Sequence, residues 1–405
     1  MRITQNTIYQ NISQNLSAIT EQLNNVNEQI ASGKRINQPS DDPIGITQAL
    51  NLKTVLSQIT QYGTNINQAQ SWLQATDSAL ESVQGLINQA TTLATQMSTG
   101  TYNASDRANA AQEVENILEQ VVQIGNTQVD GRYIFSGDKD QTPAYSLNFT
   151  IGQPVAASTN SGTYTGTVTS SGTYTGLYSK SYVVQITTGG PVGVAQYKVS
   201  EDGGKTWGPA DAFTTSTTPT AIYDSTNSLE PDPEQEGAQI SFSNSGTLSV
   251  GDTFTFNVSQ YNGDQGDMNL IIGPSAQLQT NVTGDTAFGQ DGDTANNLLD
   301  TLAGLKNSLQ NNDISGIGTA LQQLGNAEVN NTNTLADVGS RLDRITADQG
   351  MLSNLQNNNT NALSGIEDTD ITQATLQLNS DQTIFEAALY SATKVTGLSL
   401  LNYLT

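Results

Sequence analysis

Ile12-Ser13-Gln14-Asn15-Leu16-Ser17-Ala18-Ile19-Thr20-Glu21-Gln22-Leu23-Asn24-Asn25-Val26-Asn27-Glu28-Gln29-Ile30 decides the fold. Its apolar residues, Ile12, Leu16, Ile19, Leu23, Val26 and Ile30, recur in alternating steps of four and three. That is an unbroken heptad seam, and a lone helix cannot bury such a stripe by itself. A matching pattern closes the chain: Ile371, Ala374, Leu378, Phe385, Ala388, Ala392 and Val395 share one register, with Asp381 as the polar break. The natural partner of one terminal helix is the other. A chain whose ends zip together is built for assembly rather than for a reaction.

The segments between are helical near both ends and β-rich in the middle. Gly33 suits the position just past a helix. Asp42-Pro43 reads as an N-cap followed by proline at the first helical position. The next seam runs through Leu52, Val55, Ile59, Tyr62, Ile66, Ala69, Leu73, Thr76, Leu80, Val83, Ile87, Ala90, Ala94 and Met97. At ~1.5 Å per residue that helix is about 70 Å long. Ser105 or Asp106 caps a third helix carrying Val114, Leu118 and Val121. In the C-terminal half, Leu298, Leu302, Leu305 and Leu309 form a short seam that Gly316 and Gly318 interrupt. Leu321, Leu324, Leu335, Val338, Leu342, Ile345 and Leu352 then hold a heptad frame, with Glu328, Asn331 and Gln349 as polar insertions. From about 140 to 280 the texture turns to Gly, Thr, Ser, Tyr and Val. Period-2 runs such as Tyr182–Ile186 and Thr253–Val258 read as strands. Ser161–Gly166 recurs as Ser171–Gly176, a local duplication read as a hairpin extension.

The fold class is therefore α+β: a long antiparallel helical bundle or coiled coil from the N- and C-terminal regions, with an inserted all-β domain. The expected divisions are 1–40, a coiled-coil helix pairing with 367–405; 41–140, a helical rod returning as 285–366; and 141–284, the β domain.

Composition removes several classes of function. The 405 residues carry 14 basic and 38 acidic side chains, a formal net charge of −24. Nucleic acid and anionic membranes both need a basic footprint, so neither is expected as a partner. Without Cys or His there are no disulfides, no zinc site of the usual ligands and no Ser-His-Asp triad. No cofactor and no enzymatic reaction are expected. No apolar run approaches the length that spans a bilayer. The N-terminus has no secretory h-region, so the chain is cytoplasmic or leaves by a route that reads no cleaved signal.

Two motifs carry a resemblance. Ser32-Gly33-Lys34-Arg35-Ile36-Asn37 with Asp41-Asp42-Pro43-Ile44-Gly45 resembles the N-terminal signature of the bacterial flagellin family. Asp130-Gly131-Arg132-Tyr133-Ile134-Phe135-Ser136-Gly137 and the start Met1-Arg2-Ile3-Thr4 are most similar to the family's hook–filament junction members. Gly339–Ile345 is similar to its C-terminal rod helix. The resemblance covers roughly 1–140 and 285–405. It implies a structural subunit that self-assembles into a ring or tube: terminal helices lining an axial tube, rod helices forming its wall and a β domain projecting outward. It further implies export through the flagellar type III channel to an extracellular flagellum. The implied partners are hook-associated protein 1, flagellin and an export chaperone on the C-terminal helix. The seam residues above would form the assembly interface, with Lys34, Arg35, Asp41 and Asp42 making polar contacts at the elbow between tube and wall. The terminal helices, poor in charge, are expected to fray in solution and become helical on docking. Two departures favour junction over filament: the tail ends Leu400-Leu401-Asn402-Tyr403-Leu404-Thr405, and residues 107–123 lack the Arg- and Leu-rich segment that immune receptors read in flagellins.

Filament flagellin is the near alternative. A surface carbohydrate-binding module is the distant one, resting on Ser200-Glu201-Asp202-Gly203-Gly204-Lys205-Thr206-Trp207, which fits the Asp-box pattern once. A tight hairpin with Asp202 accepting turn N–H groups explains that segment more simply. Asp285, Asp291 and Asp293 in a Gly-rich loop, and Glu230, Asp232, Glu234 and Glu236, read as solvated acidic turns rather than Ca²⁺ ligands.

Overall fold

The computed structural model describes residues 5–223, 236–290 and 296–401, without the side chains of 5, 6, 8 and 395–401. Its elements are α1 (Gln5–Ser32), α2 (Pro43–Met97), α3 (Ala104–Gly125), β1 (Gln128–Val129), β2 (Arg132–Tyr133), β3 (Tyr145–Ile151), β4 (Val155–Ala156), β5 (Val168–Gly172), β6 (Lys180–Thr188), β7 (Gln196–Ser200), β8 (Phe213–Thr214), β9 (Thr220–Ala221), β10 (Ala238–Phe242), β11 (Thr253–Tyr261), β12 (Asn269–Gly273), β13 (Ala276–Gln279), α4 (Gly284–Phe288), α5 (Leu298–Gln310), α6 (Ile314–Glu367) and α7 (Ile371–Leu401). The fold is α+β, helical at both ends of the chain and β-rich between. The chain divides into two compact units, Met1–Thr64 with Ala347–Thr405, and Asn65–Thr346.

In the first unit α1 packs against α7. Both helices are formed along the described length, each serving as the other's partner, where fraying was expected. Gly33, at φ +69°, takes the left-handed conformation that ends α1. Asp42 caps α2, its Oδ1 accepting the Gly45 N–H at 2.8 Å. The inward stripe of this end of α2 passes through half-buried Leu56 and buried Ile59, while Val55 points outward.

In the second unit the seam of α2 is buried from Ile66 to Met97. The stripe on α6 differs from the leucine frame: Ile317, Ala320, Leu324, Ala327, Asn331, Thr334, Val338 and Ile345 are the buried positions. Asn331 belongs inside because its Nδ2 donates to the Leu80 carbonyl at 3.1 Å and to Gln84 Oε1 at 2.9 Å. The break before α6 falls at Asn311–Asp313, with Asn312 at φ +54°, and not at Gly316 and Gly318, which are helical. Gly316 is there for clearance, since a β-carbon would overlap the Ser308 side chain.

The cap of α3 is Asn103, two or three residues earlier than expected. Its side chain accepts from the Ser105 and Asp106 N–H groups, and Asp106 returns a bond to the Asn103 N–H, completing a capping box. Arg107 is buried and closes the helix ends, donating to the carbonyls of Met97 and Thr99, at 2.8 Å each, and to Asn312 Oδ1 at 2.5 Å.

The β region is built from antiparallel sheets. One has the order β3-β11-β6-β7-β8, with β4 also on β11; another has β5-β10-β9. Alternate residues of β6 (Tyr182, Val184, Ile186), β11 (Phe254, Phe256, Val258) and β10 (Ala238, Ile240, Phe242) share a single core, as period-2 patterning requires. The duplicated Tyr-Thr-Gly segments do not form a separate hairpin. Both pair with the continuous run 236–247, and in each the tyrosine ring covers the glycine two residues on.

Candidate assembly interface

The α1 seam is a mixed stripe. Val26 is buried; Ile12, Leu16, Ile19, Leu23 and Ile30 are half-buried. On α7, Ala374 is buried and Leu378, Phe385, Ala388 and Ala392 are half-buried. The Val395 side chain lies outside the described residues, and Ile371 is exposed. The polar break, Asp381, is only 3% exposed. Its Oδ1 accepts from Gln377 Nε2 at 2.9 Å. A second apolar set on α7 faces solvent, including Leu376 at 66% and Tyr390 at 64% exposure. Such a surface on a protein of low charge content is suited to further protein contact.

Lys34, Arg35, Asp41 and Asp42 are brought together at the elbow. Arg35 donates its N–H to the Glu367 carbonyl at 2.6 Å and its Nη2 to the Ile366 carbonyl at 2.7 Å, so its guanidinium covers the C-terminal end of α6. Asp41 Oδ2 accepts the N–H groups of Asn37 and Gln38 and shapes the loop. Asp42 caps α2 and sits 3.4 Å from Arg35. The Gly45 N–H bond, with Arg35 adding to it, holds the Asp42 carboxyl below the usual carboxylate range. The close fit explains Gly45: a β-carbon there would lie 2.5 Å from Asp42 Oδ2 and 2.7 Å from Ile36 Cδ1.

The centre of the elbow is a residue the periodicity did not mark. Glu367 is buried and pairs with Lys34 at 2.6 Å and Lys53 at 2.8 Å. The Lys34 hydrogen bond, then that from Lys53, pulls its carboxyl below the ordinary value, and the same bond raises Lys34. The Thr369 N–H reaches the Gly33 carbonyl at 3.0 Å, and Lys34 bridges Asp368 in antiparallel fashion. The two breaks therefore form a joint of main-chain and ionic bonds. The signal in the sequence was the basic pair Lys34-Arg35 beside one break and the acidic pair Glu367-Asp368 beside the other.

In the second unit, Asp130 and Gly131 both have positive φ, 52° and 77°, and Gln128 pairs with Tyr133. This is the two-residue hairpin favoured by Asp-Gly. It delivers Ile134 and Phe135 into the core.

Residues 3–140 match the bacterial flagellin N-terminal helical region. Flagellar hook-associated protein 3 of Escherichia coli K12 is 33% identical over 150 residues, 36% of this chain and 46% of that protein. The Salmonella typhimurium protein of the same name is 33% identical over 149 residues, again 36% and 46%. A Clostridium tyrobutyricum flagellin is 25% identical over 174 residues, 41% of this chain and 46% of the relative. The chain thus spans about half the length of the curated relatives it matches. A flagellar hook-associated protein structure from Vibrio parahaemolyticus shares the fold, with TM-score 0.50 and 14% identity over 81% of this chain and all of that one. Both signatures, 32–45 and 130–137, lie inside the flagellin-type region.

The Asp-box segment forms the turn expected of it. Asp202 accepts from the N–H groups of Lys205 and Thr206 and from the hydroxyls of Ser200 and Thr206. These bonds outweigh its partial burial and bring its carboxyl down to about 2. Lys198 Nζ stacks 4.3 Å above the Trp207 ring. Both carboxylate oxygens of Asp202 are thereby engaged in the turn. Asp291, Asp293, Glu230, Asp232 and Glu234 lie outside the described residues. Asp285 accepts from Gln265 at 3.0 Å, and its burial raises its carboxyl. Glu236 pairs with Lys180 at 2.6 Å. Among the described residues no acidic cluster is arranged for a metal ion.

Proposed function

We propose that the protein is a structural subunit of the bacterial flagellum joining hook to filament. The observation that carries this is the α1–α7 pair locked at the Lys34–Glu367–Lys53 elbow beside a flagellin-type N-terminal region. In this reading the role is mechanical. The seam residues, from Ile12 to Ile30 and from Leu378 to Val395, hold the terminal helices as one strut. The exposed apolar face of α7 meets neighbouring subunits in a ring or tube, with hook-associated protein 1 on one side and flagellin on the other. Export passes through the flagellar type III channel, an export chaperone covering α7 beforehand.

Filament flagellin is the second reading, favoured by the likeness to the Clostridium flagellin. Immunogold labelling of native appendages with antibody against residues 141–284 separates the two. A single band of label at the hook's distal end supports the junction; label along the filament supports flagellin. Absence of label from the appendage overturns both.

A further inference from the structure

We propose that Lys180 and Glu236 condense into an amide that staples the two β-sheets together, with Glu201 moving the protons. Lys180 begins β6 and Glu201 follows β7, both in one sheet, while Glu236 leads into β10 of the other. Lys180 Nζ lies 2.5 Å from Glu201 Oε2 and 2.6 Å from Glu236 Oε2. The main chain fixes both acids: the Ser181 N–H reaches the Glu201 carbonyl at 3.2 Å, and the Thr175 N–H reaches the Glu236 carbonyl at 2.8 Å.

The two contacts of Lys180 differ in kind. Toward Glu201 it donates a hydrogen bond. Glu236 Oε2 has no contact with solvent and accepts no hydrogen bond, so the ammonium is close to it without being aligned as a donor. Water is kept from the Glu236 carboxyl carbon as well. A β-carbon at residue 176 would lie 2.5 Å from Glu236 Cδ, so the Gly176 main chain packs directly on the carboxyl, with the Tyr174 hydroxyl alongside. Tyr182, on the same face of β6 as Lys180, is fully buried; burial first, then the two carboxylates, push its hydroxyl up. The cluster therefore borders the core, where replacing an ion pair by neutral groups often stabilises a fold.

The step balances without a co-reactant. Glu201 takes one proton from the ammonium and passes it to the Glu236 carboxylate, leaving a neutral amine beside a neutral acid. The nitrogen lone pair forms the N–C bond to Glu236 Cδ. Glu201 then carries a second proton from the nitrogen to the departing oxygen, the C–O bond breaks and one water leaves. Nothing is oxidised or reduced. Burial lowers the Lys180 ammonium, but the two carboxylates outweigh it and hold the group above the usual lysine value. The neutral amine is therefore scarce and the reaction slow.

Intact-mass spectrometry of the full-length folded protein, followed over days, should show a species lighter by one water, and its tryptic digest should join the Lys180 peptide to the Glu236 peptide. Lys180→Arg keeps the charge and cannot form the amide, so it should stay at full mass. Glu201→Ala keeps both reacting groups and should slow formation by roughly a hundredfold or more, the weight of a general acid–base group. Circular dichroism of both variants should match wild type, and wild type held unfolded in urea should lose no water at this pair. A folded wild type that stays at full mass, a water loss that persists in Lys180→Arg, or a bond from Lys180 to Glu201 instead overturns the proposal.

Discussion

Lys34 Nζ lies 2.6 Å from Glu367 Oε1, which ties the loop after α1 to the last residue of α6. Lys53, from α2, holds the other oxygen of the same carboxylate at 2.8 Å. One buried carboxylate thus joins three segments of the elbow. Breaking a buried pair from one side leaves the remaining charges uncompensated.

Glu367→Gln should therefore destabilise the Met1–Thr64/Ala347–Thr405 unit by about 1–2 kcal/mol. The Glu367 carboxyl is depressed by Lys34 and Lys53. Its contribution is therefore complete above the ordinary glutamate range and is lost as pH falls through the lower folded value. Lys34, raised by Glu367, contributes below the ordinary lysine range and loses that contribution as pH rises through its raised value. Hydrogen exchange along α1 and α7 should show protection falling at both extremes in the wild type. In Glu367→Gln, protection at neutral pH should already be reduced.

Gly45→Ala and Gly350→Ala should shift stability in opposite directions. Both replace a helical glycine, which by propensity alone gains about 1 kcal/mol. Nothing lies within 4 Å of a β-carbon at Gly350, whereas at Gly45 it meets Asp42 Oδ2 at 2.5 Å and Ile36 Cδ1 at 2.7 Å. Displacing the Asp42 cap costs about 1 kcal/mol or more. Thermal melts should rise for Gly350→Ala and fall for Gly45→Ala.

Asp300 tests the β region's attachment to α5. It accepts the Ser179 N–H at 2.9 Å, and burial raises its carboxyl to about 6 despite that bond. A raised carboxylate costs stability when charged: the penalty is absent below the unfolded value near 4, grows through pH 6 and is full above it. Asp300→Asn keeps an acceptor for Ser179 and removes the charge. Relative to wild type it should gain about 2–3 kcal/mol between pH 4 and pH 7. A constant difference across that range, read by denaturant unfolding, would exclude the buried charge as the cause.

The terminal seams and the Asp42-Pro43 cap were legible because they are local: period and cap chemistry act within one or two turns. Glu367 and Lys53 were not: the opposite charges flanking the two breaks hint at a joint, but nothing local says that Glu367 is the buried member or that Lys53, ten residues into α2, completes it. The α6 stripe was misjudged for another reason. Leucines mark a seam by their bulk, yet Ala320, Ala327, Asn331 and Thr334 are the positions that let helices approach closely, with the Asn331 Nδ2 donating to Leu80 and Gln84. Gly316 resembles a breaker in sequence but in the fold supplies clearance beside Ser308.

The most direct test of the assembly claim is Leu23→Asp. Leu23 is half-buried on the α1 seam, so the change removes about 1–2 kcal/mol of apolar burial and adds an unpaired charge. Val155→Asp, on a strand residue that is 71% exposed, is the control. In cells lacking the native copy, Leu23→Asp should be exported yet leave hooks without attached filaments, while Val155→Asp restores swimming. The aromatic circular dichroism of purified Leu23→Asp should match wild type, showing an intact β core. Motile cells with normal filaments built on Leu23→Asp would contradict the account.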